Sequence, residues 1–222
     1  MNKEFVITKD GSHTIYLPEM DEHYHSTHGA MQESMHIYIN EGLLQFSNSA
    51  ISILEIGFGT GLNAFLTAIF GGKNNISVKY WSIEKYPLTE TEYSKLNYAS
   101  GEWQNHASIF EKIHRAPWNT DVEIEPGFTL HKIQADLTCY QFDIPTKVDL
   151  VYYDAFAPNK QPDLWTNEVI DSVSNCVNKN GILVTYCAKG SVRRAFASSG
   201  FQMERLPGPP GKKEIIRGKK LF

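Results

Sequence analysis

Hydrophobic positions along the chain follow two patterns, continuous apolar runs typical of buried strands and a helical spacing of apolar residues. An apolar run at 51–56 stops at a turn with three glycines, Gly57, Gly59 and Gly61. Apolar residues at helical spacing begin directly after this turn, over 62–70. A strand, a glycine turn and a helix in this order predict the opening unit of a Rossmann-like sheet, with a ligand over the start of the helix.

The rest of the chain repeats this alternation of strand and helix. Strand patterns recur at 78–83, 122–124, 128–133, 148–153 and 181–187, and helix patterns at 87–99, 104–115, 167–178 and 190–199. An antiparallel pair is predicted at 201–206 and 213–217, around a turn rich in proline and glycine. We therefore expect an α/β fold, a mostly parallel, doubly wound Rossmann-like sheet with an antiparallel terminal hairpin, in one domain over residues 1–222.

The segment 1–45 is predicted to form a small N-terminal extension that covers the site. Alternating residues at 4–8 and 12–17 flank Asp10-Gly11, which is a hairpin signal. Thr27 is predicted to cap a helix that runs to about Asn40. The inner side of this helix is predicted to be formed by Met31, Met35, Ile37 and Tyr38.

Histidines and cysteines do not indicate a metal site. Four histidines lie close together at positions 23, 25, 28 and 36, but zinc sites normally present a matching second group of ligands. The cysteines at 139, 176 and 187 have no C-x-x-C spacing, and their number is odd. We expect no bound metal and reduced thiols.

Composition and charge indicate an ordinary globular protein. Hydrophobic residues make up 41% of the chain and charged residues 21%, and the net charge of −4 gives no overall reason to expect nucleic acid. A basic run at 211–220, GKKEIIRGKK, qualifies this expectation. Neither a signal-like apolar segment nor a span of 18 apolar residues is visible, so we expect a cytoplasmic protein without membrane association.

The glycine spacing favours S-adenosylmethionine (SAM) over a dinucleotide. The turn is G-x-G-x-G, and its third glycine falls one residue earlier than in the dinucleotide pattern G-x-G-x-x-G. Glu84 ends the second predicted strand about 20 residues later, where a carboxylate accepts hydrogen bonds from ribose hydroxyls. Asp136 ends the third, and two roles stay open for it: an acceptor for the adenine amine, or the cap of a helix at 137–142.

Asp154 ends the fourth core strand and is the candidate catalytic residue. Ligands of open α/β sheets lie beyond the strand carboxyl ends, so Asp154 is expected to face the same crevice as the glycine turn. A carboxylate there can accept an amine N–H and help the proton leave during methyl transfer. The alternative is that Asp154 only caps the following turn. Apolar walls for a flat substrate are predicted from Phe156, Pro158 and Trp165.

Several segments together resemble one family of RNA-modifying enzymes. They are LEIGFGTGLN at 54–63, IEKYPL at 83–88, YDAFAPNKQPDLW at 153–165 and GPPGKKE at 208–214, preceded by HYHSTHGA at 23–30. In these segments the chain resembles the methyltransferase half of the bifunctional wobble-uridine enzyme MnmC and its stand-alone MnmD-type relatives. The resemblance implies a class I SAM-dependent methyltransferase that methylates the 5-aminomethyl group of wobble (2-thio)uridine in tRNA, giving 5-methylaminomethyl-(2-thio)uridine.

The resemblance also implies roles for individual residues. Asp154 takes the place of the family's catalytic aspartate. The cofactor positions are Glu55, Gly57, Gly59, Gly61, Asn63, Glu84 and Asp136. The pocket entrance is implied to include Tyr24, His25 and Met31. Candidate phosphate contacts are Lys160, Lys212, Lys213 and Arg217, together with Lys189, Arg193, Lys219 and Lys220. Only four residues follow Gly218, so we expect no FAD-dependent half and a substrate that arrives in the aminomethyl form.

Other functions compatible with the pattern are also considered. A small-molecule amine alkyltransferase, similar to polyamine synthases, would share the sheet and Asp154 but would need more acids along its amine channel, where only Asp163 is nearby in sequence. A non-catalytic SAM-binding tRNA adaptor would not need a carboxylate at position 154. An NAD oxidoreductase is disfavoured by the glycine spacing.

Overall fold

A large mixed sheet forms the centre of the molecule. The computed structural model describes residues 2–47, 50–142 and 147–222. Within these residues the large sheet and its helices comprise β4 (Ala50–Ile56), α2 (Leu62–Lys73), β5 (Ser77–Glu84), α3 (Glu90–Tyr93), α4 (Ala107–Arg115), β6 (Asp121–Glu125), β7 (Phe128–Gln134), β8 (Val148–Tyr153), α5 (Asn167–Asn175), β9 (Val177–Thr185), α6 (Gly190–Ser198), β10 (Phe201–Pro207) and β11 (Glu214–Lys220). A smaller N-terminal unit precedes them and comprises β1 (Glu4–Ile7), β2 (His13–Leu17), β3 (Glu22–His23) and α1 (Ala30–Ser34).

The strand order of the large sheet is β10-β11-β9-β8-β4-β5-β7-β6 among the described residues. Strands β4, β5, β7, β8 and β9 run parallel, and β6, β10 and β11 complete the two edges in antiparallel pairs. The chain proceeds from β4 outward through β5 to β7, and then returns to the other side of β4 with β8. The carboxyl ends of β4 and β8 therefore flank the topological switch point, where open α/β sheets bind ligands.

Apolar residues of β4 alternate between two hydrophobic cores, one on each face of the sheet. Ile53 packs into the core that includes Phe65 of α2, and Leu54 packs into the core that includes Ile170 of α5. A parallel strand covered by helices on both faces is apolar throughout, which explains the continuous run that the sequence shows. Burial of each such side chain contributes roughly 1.5–3 kcal/mol.

The N-terminal unit packs on the first of these cores. Strands β1 and β2 form the predicted antiparallel hairpin, and Ile15 of β2 is fully buried in the core. The predicted helix does not begin at Thr27. It starts at Ala30, because the carboxylate of Asp10 accepts a hydrogen bond from the Gln32 N–H and so completes the helix start from the hairpin. The helix then continues as a π-helical stretch over Met35–Asn40.

Three other predicted helices differ from the structure in length or type. The segment predicted at 87–99 is helical only in α3, whose start is closed by a capping box between Thr89 and Glu92. The segment predicted at 104–115 begins as a 3₁₀-helix, Gly101–His106, before α4. The helix predicted at 137–142 is not formed, and a turn occupies its first residues. No described helix combines the length and apolarity that a membrane crossing requires.

Candidate active site

A cavity of about 1090 Å³ opens at the carboxyl ends of β4, β5 and β8. This volume is at the upper end of the roughly 300–1,000 Å³ that ligand pockets occupy, so the cavity can hold a cofactor and part of a substrate together. Most of the predicted site residues line it: Gly57, Gly59, Asn63, Glu84, Asp136, Asp154, Tyr24, His25, Phe156, Lys160 and Lys212. The N-terminal unit forms one wall, as expected for a covering element.

The glycine turn is held against the backbone of the strands beside it. The N–H groups of Gly57 and Phe58 both donate to the carbonyl of Ile83, at 3.0 and 3.3 Å. Gly57 has φ +92°, and a Cβ there would lie 2.7 Å from the carbonyl oxygen of Asp154. Glycine is therefore required at this position both by the backbone conformation and by the close approach of the chain at the end of β8.

Glu84 connects the glycine turn to the end of β5. Its carboxylate accepts hydrogen bonds from the Gly59 N–H at 3.0 Å and the Tyr86 N–H at 2.8 Å. One bond falls on each oxygen, so the carboxylate retains lone pairs that can accept further donors from the cavity. The chemistry of a ribose diol, two neighbouring hydroxyl donors, fits this arrangement.

Asp154 is half-buried at the base of the cavity, and both of its carboxylate oxygens are hydrogen-bonded. Tyr38 donates its hydroxyl to Oδ1 at 2.6 Å, and the Asn63 side-chain amide donates to Oδ2 at 2.8 Å. Burial raises the pKa of Asp154 to about 7, and the two hydrogen bonds only partly oppose that increase. The predicted alternative, a simple turn cap, does not match these partners, because the side chain bonds to a helix and to the N-terminal unit.

Two charges of opposite sign lie near Asp154. Glu33 raises its pKa and Lys212 lowers it. The two form an ion pair at 3.3 Å, and the Lys212 ammonium group also lies 4.5 Å from the centre of the Tyr186 ring. The cavity is thus more acidic than the sequence suggested, since Glu22 and Glu33 line it in addition to Asp163.

Aromatic side chains form the walls between the cofactor turn and the entrance. Tyr24 meets Phe156 edge to face, with ring centroids 5.1 Å apart, and the Tyr24 ring would lie 3.1 Å from a Cβ at Gly59. Tyr186 lines the same cavity and donates its hydroxyl to the carbonyl of Ala155 at 2.9 Å. These rings give a flat substrate faces on which to stack.

His25 has a structural position at the cavity wall. Its Nε2 lies 2.8 Å from the Thr60 hydroxyl, and burial lowers its pKa to about 4, so the ring is neutral at physiological pH. This ring holds the N-terminal unit against the glycine turn. The described residues contain no group of three or more histidine, cysteine, aspartate or glutamate side chains suited to a metal ion.

Asp136 lines the cavity and closes a turn, and the helix that it was predicted to cap is not formed. The Asp136 carboxylate accepts hydrogen bonds from the Thr138 N–H at 3.0 Å and the Thr138 hydroxyl at 2.8 Å. Lys85 lies 2.6 Å from its other oxygen. The Lys85 hydrogen bond, followed by those from Thr138, lowers the pKa of Asp136.

The remaining predicted site residues do not line the cavity in the part of the chain that the structure describes: Glu55, Gly61, Met31, Pro158, Trp165, Lys213 and Arg217. Glu55 is fully buried and accepts a hydrogen bond from the Ser82 hydroxyl at 2.6 Å. Trp165 packs behind the site on Tyr153, and its indole N–H donates to the carbonyl of Phe156. It therefore supports the wall rather than forming its face.

The basic side chains of the C-terminal hairpin differ in their surroundings. Arg217 is held between Glu41, at 2.8 Å, and Glu204, at 2.7 Å, so its charge is already paired within the fold. Lys213 is exposed. Lys160, at the cavity rim, lies 3.5 Å from Asp21. Of these three side chains, Lys213 and Lys160 are therefore the ones available to contact a phosphate group.

Three residues that contact the site could not be identified as such from the sequence. The sequence pattern places Tyr38 on the apolar side of a helix, and neither Glu33 nor Tyr186 stands in a motif. Tyr38 and Glu33 belong to the N-terminal unit, and Tyr186 directly follows β9. Tertiary packing brings Glu33 and Tyr186 to the cavity wall and Tyr38 to the carboxylate of Asp154. The sequence offers one signal for Tyr38, which is that its hydroxyl lies on the side of the helix predicted to be apolar.

A comparison with known families identifies the class of protein. A family model described as S-adenosyl-L-methionine-dependent methyltransferase matches residues 95–221. The chain belongs to this family. The predicted class I SAM-dependent methyltransferase fold and the predicted enzyme class are thereby confirmed.

Individual relatives of this methyltransferase have specific names. The tRNA 5-methylaminomethyl-2-thiouridine biosynthesis bifunctional protein MnmC of Leptospira borgpetersenii is 30% identical over 210 residues, covering 90% of this chain and 32% of that protein. The protein of the same name from Hydrogenovibrio crunogenus is 28% identical over 215 residues, covering 90% and 31%. The methyltransferase thus spans about a third of the length of these curated relatives.

A solved structure, MNMC2 from Aquifex aeolicus, superposes on the methyltransferase with a TM-score of 0.82 at 25% identity. The match covers 98% of this chain and 70% of that one. The similarity therefore includes the N-terminal unit as well as the sheet.

The cavity fits the cofactor that the family uses. SAM supplies an activated methyl group when it is bound. Gly57, Gly59 and Glu84 all line the cavity, and the Glu84 carboxylate has lone pairs for the two hydroxyl donors that a ribose would present. Asp136 lies further along the same edge, beyond β7, at the place predicted for the adenine end.

Proposed function

We propose that this methyltransferase transfers the methyl group of SAM to the amine of 5-aminomethyl-(2-thio)uridine at the wobble position of tRNA, giving 5-methylaminomethyl-(2-thio)uridine. The observation that carries the proposal is the half-buried, doubly hydrogen-bonded Asp154 carboxylate, which faces the same cavity as Glu84 and the glycine turn. A carboxylate at this position can bind an amine substrate and take up the proton that the amine loses when it receives the methyl group. The names of the relatives, which refer to tRNA 5-methylaminomethyl-2-thiouridine biosynthesis, support the substrate.

The raised pKa of Asp154 suits it to accept a proton from an amine. An alkyl ammonium group has a pKa of about 10, and it must lose its proton before nitrogen can attack a methyl group. Transfer of that proton to an ordinary aspartate would cost about 8 kcal/mol, whereas transfer to a carboxyl group of pKa about 7 costs about 4 kcal/mol. Asp154 also orients the amine, because in-line attack requires the nitrogen about 3 Å from the methyl carbon.

The aromatic walls favour a pyrimidine base as the group that carries the amine. Tyr24, Phe156 and Tyr186 line the cavity on the side of Asp154, where a base could stack with its substituent directed at the carboxylate. A wobble base lies in a loop and can be turned out of its stack at modest cost. The lysines near the rim, Lys160, Lys212 and Lys213, are proposed to meet the phosphates around it.

The proposed reaction has no redox step and generates no charged leaving group that requires a Lewis acid. It therefore needs neither FAD nor a metal ion. A tRNA substrate also implies work in the cytoplasm, without membrane association. The source of the aminomethyl group would be a separate reaction that produces the primary amine on the uridine.

The test is methylation of tRNA by the purified protein. The substrate is tRNA that carries 5-aminomethyl-2-thiouridine, and the product is measured by mass spectrometry of its nucleosides. We expect a gain of one methyl group on that nucleoside with the native chain, and a rate lowered by about 10²–10⁴ for Asp154→Asn. Asp163→Asn is the matched control, since Asp163 lines the same cavity without bonding to the partners of Asp154.

A small polyamine in the same assay separates the proposal from the small-molecule alternative. Methylation of the polyamine with no methylation of the tRNA would contradict the proposed substrate. An unchanged rate in Asp154→Asn would contradict the proposed role of the carboxylate. SAM binding without transfer to either substrate would leave the non-catalytic adaptor as the better explanation.

A further inference from the structure

We infer that Tyr38 is a positioning residue for the reaction, whose hydroxyl holds the Asp154 carboxylate in its catalytic orientation and favours its anionic form. The inference rests on the proposed role of Asp154. Tyr38 does not line the cavity among the described residues, so it acts through Asp154 and not on the substrate.

The backbone that carries Tyr38 has an unusual conformation. Residues Met35–Asn40 form a π-helical stretch, a rare conformation that occurs mostly as single turns within α-helices and is frequent at functional sites. The stretch is followed by Gly42, where a Cβ would lie 2.4 Å from the carbonyl oxygen of Tyr38 and 3.0 Å from the Tyr152 ring. Glycine at 42 therefore allows the chain to pass close to Tyr38.

Packing fixes the direction of the Tyr38 side chain. The residue is 1% exposed, and its ring packs on that of Tyr152 with centroids 5.1 Å apart. Its hydroxyl lies 2.6 Å from Asp154 Oδ1. Burial, followed by the charge of Asp154, raises the pKa of the Tyr38 hydroxyl well above its ordinary value, so the group remains a donor at every working pH.

Asp154 depends on this donor because it has few other stabilising partners. Asn63 donates to its second oxygen, and Lys212 is the cation that lowers its pKa. Burial and Glu33 act in the opposite direction. Glu55 also couples to Asp154 by charge from β4, and Tyr186 does so from the end of β9. Loss of the hydroxyl would favour the protonated acid, which cannot accept the amine proton.

The experiment compares Tyr38→Phe with Tyr152→Phe. Both variants remove one hydroxyl from adjacent buried rings, but the Tyr152 hydroxyl lies beside Thr67 at 3.3 Å. For Tyr38→Phe we expect the acidic limb of the pH profile of kcat to move up by about one pH unit, with kcat about fivefold lower at pH 7 and largely recovered at pH 9. The KM for SAM should stay unchanged. Tyr152→Phe should keep the native profile.

A titration that does not depend on activity separates this inference from the proposed function. The ¹³C carboxyl resonance that disappears in Asp154→Asn reports the pKa of Asp154 directly. A higher pKa in Tyr38→Phe supports the inference, and an unchanged pKa overturns it. If the pKa of Asp154 rises in Tyr38→Phe while Asp154→Asn retains full activity, the interaction between Tyr38 and Asp154 is supported but the proposed function is contradicted.

A second substitution covers the case in which Tyr38→Phe folds poorly. A fluorinated tyrosine at position 38 keeps the ring and makes its hydroxyl a stronger donor. We expect the pKa of Asp154 and the acidic limb to move down in this variant, opposite to Tyr38→Phe. Movement in the same direction, or none, would show that Tyr38 only fills space.

Discussion

The carboxylate of Glu33 lies 3.3 Å from the ammonium group of Lys212, and this ion pair joins α1 to the loop between β10 and β11 beside Asp154. The Glu33 side chain is 9% exposed and also accepts a hydrogen bond from the Ser26 N–H at 2.8 Å. The pair therefore closes the N-terminal unit over the cavity and sets the charge around the catalytic candidate. Neither residue could have been paired with the other from their positions in the chain.

The two partners of this ion pair should shift the acidic limb of the rate profile in opposite directions. Glu33→Gln removes an anion that raises the pKa of Asp154, so the limb should move to lower pH. Lys212→Met removes a cation that lowers that pKa, so the limb should move to higher pH. The measurement is kcat against pH for both variants. The double variant is the control and should return toward the native profile, whereas shifts of the same sign in both single variants would argue against the arrangement.

Glu84→Gln is expected to weaken SAM binding by at least about tenfold. The amide keeps the size of the side chain, but its nitrogen cannot accept the backbone N–H or ribose hydroxyl that an oxygen accepts, and one charged hydrogen bond is worth about 1.5–3 kcal/mol. Isothermal titration with SAM measures the effect. Glu90→Gln, in exposed α3, is the matched control and should leave the dissociation constant unchanged. A native affinity in Glu84→Gln would remove this carboxylate from the cofactor site.

Glu55→Gln is expected to leave SAM binding unchanged and to stabilise the fold at alkaline pH. Burial raises the pKa of Glu55 to about 8, compared with about 4.3 in an unfolded chain. Between these values the folded state binds more protons, so the free energy of unfolding falls as pH rises, by on the order of a few kcal/mol in total. Glutamine avoids this loss because it carries no charge.

Thermal unfolding at pH 5 and pH 9 tests the expectation for Glu55. The gain in Tm over the native chain should be larger at pH 9. A SAM dissociation constant raised tenfold or more by the same substitution would show instead that the carboxylate contacts the cofactor, as the family resemblance implied.

Lysines at or beside the cavity rim, the half-buried Lys160 and the exposed Lys213, are expected to set the salt dependence of tRNA binding. Lys160→Glu together with Lys213→Glu should weaken binding and lower the slope of log affinity against log salt by about one for each phosphate that is no longer neutralised. Fluorescence anisotropy over a range of salt concentrations gives that slope. Lys179→Glu is the control, because Lys179 is exposed in β9 toward the opposite end of the sheet. A slope equal to that of the native chain would place the tRNA elsewhere on the surface.

Much of the fold followed from local patterns. The apolar run of β4, the glycine turn and the hairpin of β10 and β11 were predicted because their residues encode them over short distances. Helix ends were less predictable. Thr27 resembles a cap, but the helix starts three residues later because Asp10, distant in sequence, supplies the missing acceptor. Helix-capping patterns consider only neighbouring residues, so they cannot predict a partner that is distant in sequence.

The order of residues along the chain was sufficient to bring Asp154, Glu84 and the glycine turn to one edge, since parallel strands present their carboxyl ends together. Tertiary structure alone decided which side chains complete the site. Tyr38 and Glu33 enter from the N-terminal unit and Lys212 from the terminal hairpin, while Glu55 and Trp165 turn into the cores. The reason is that strand direction is a property of backbone topology, whereas the contacts of a side chain depend on packing between segments far apart in sequence.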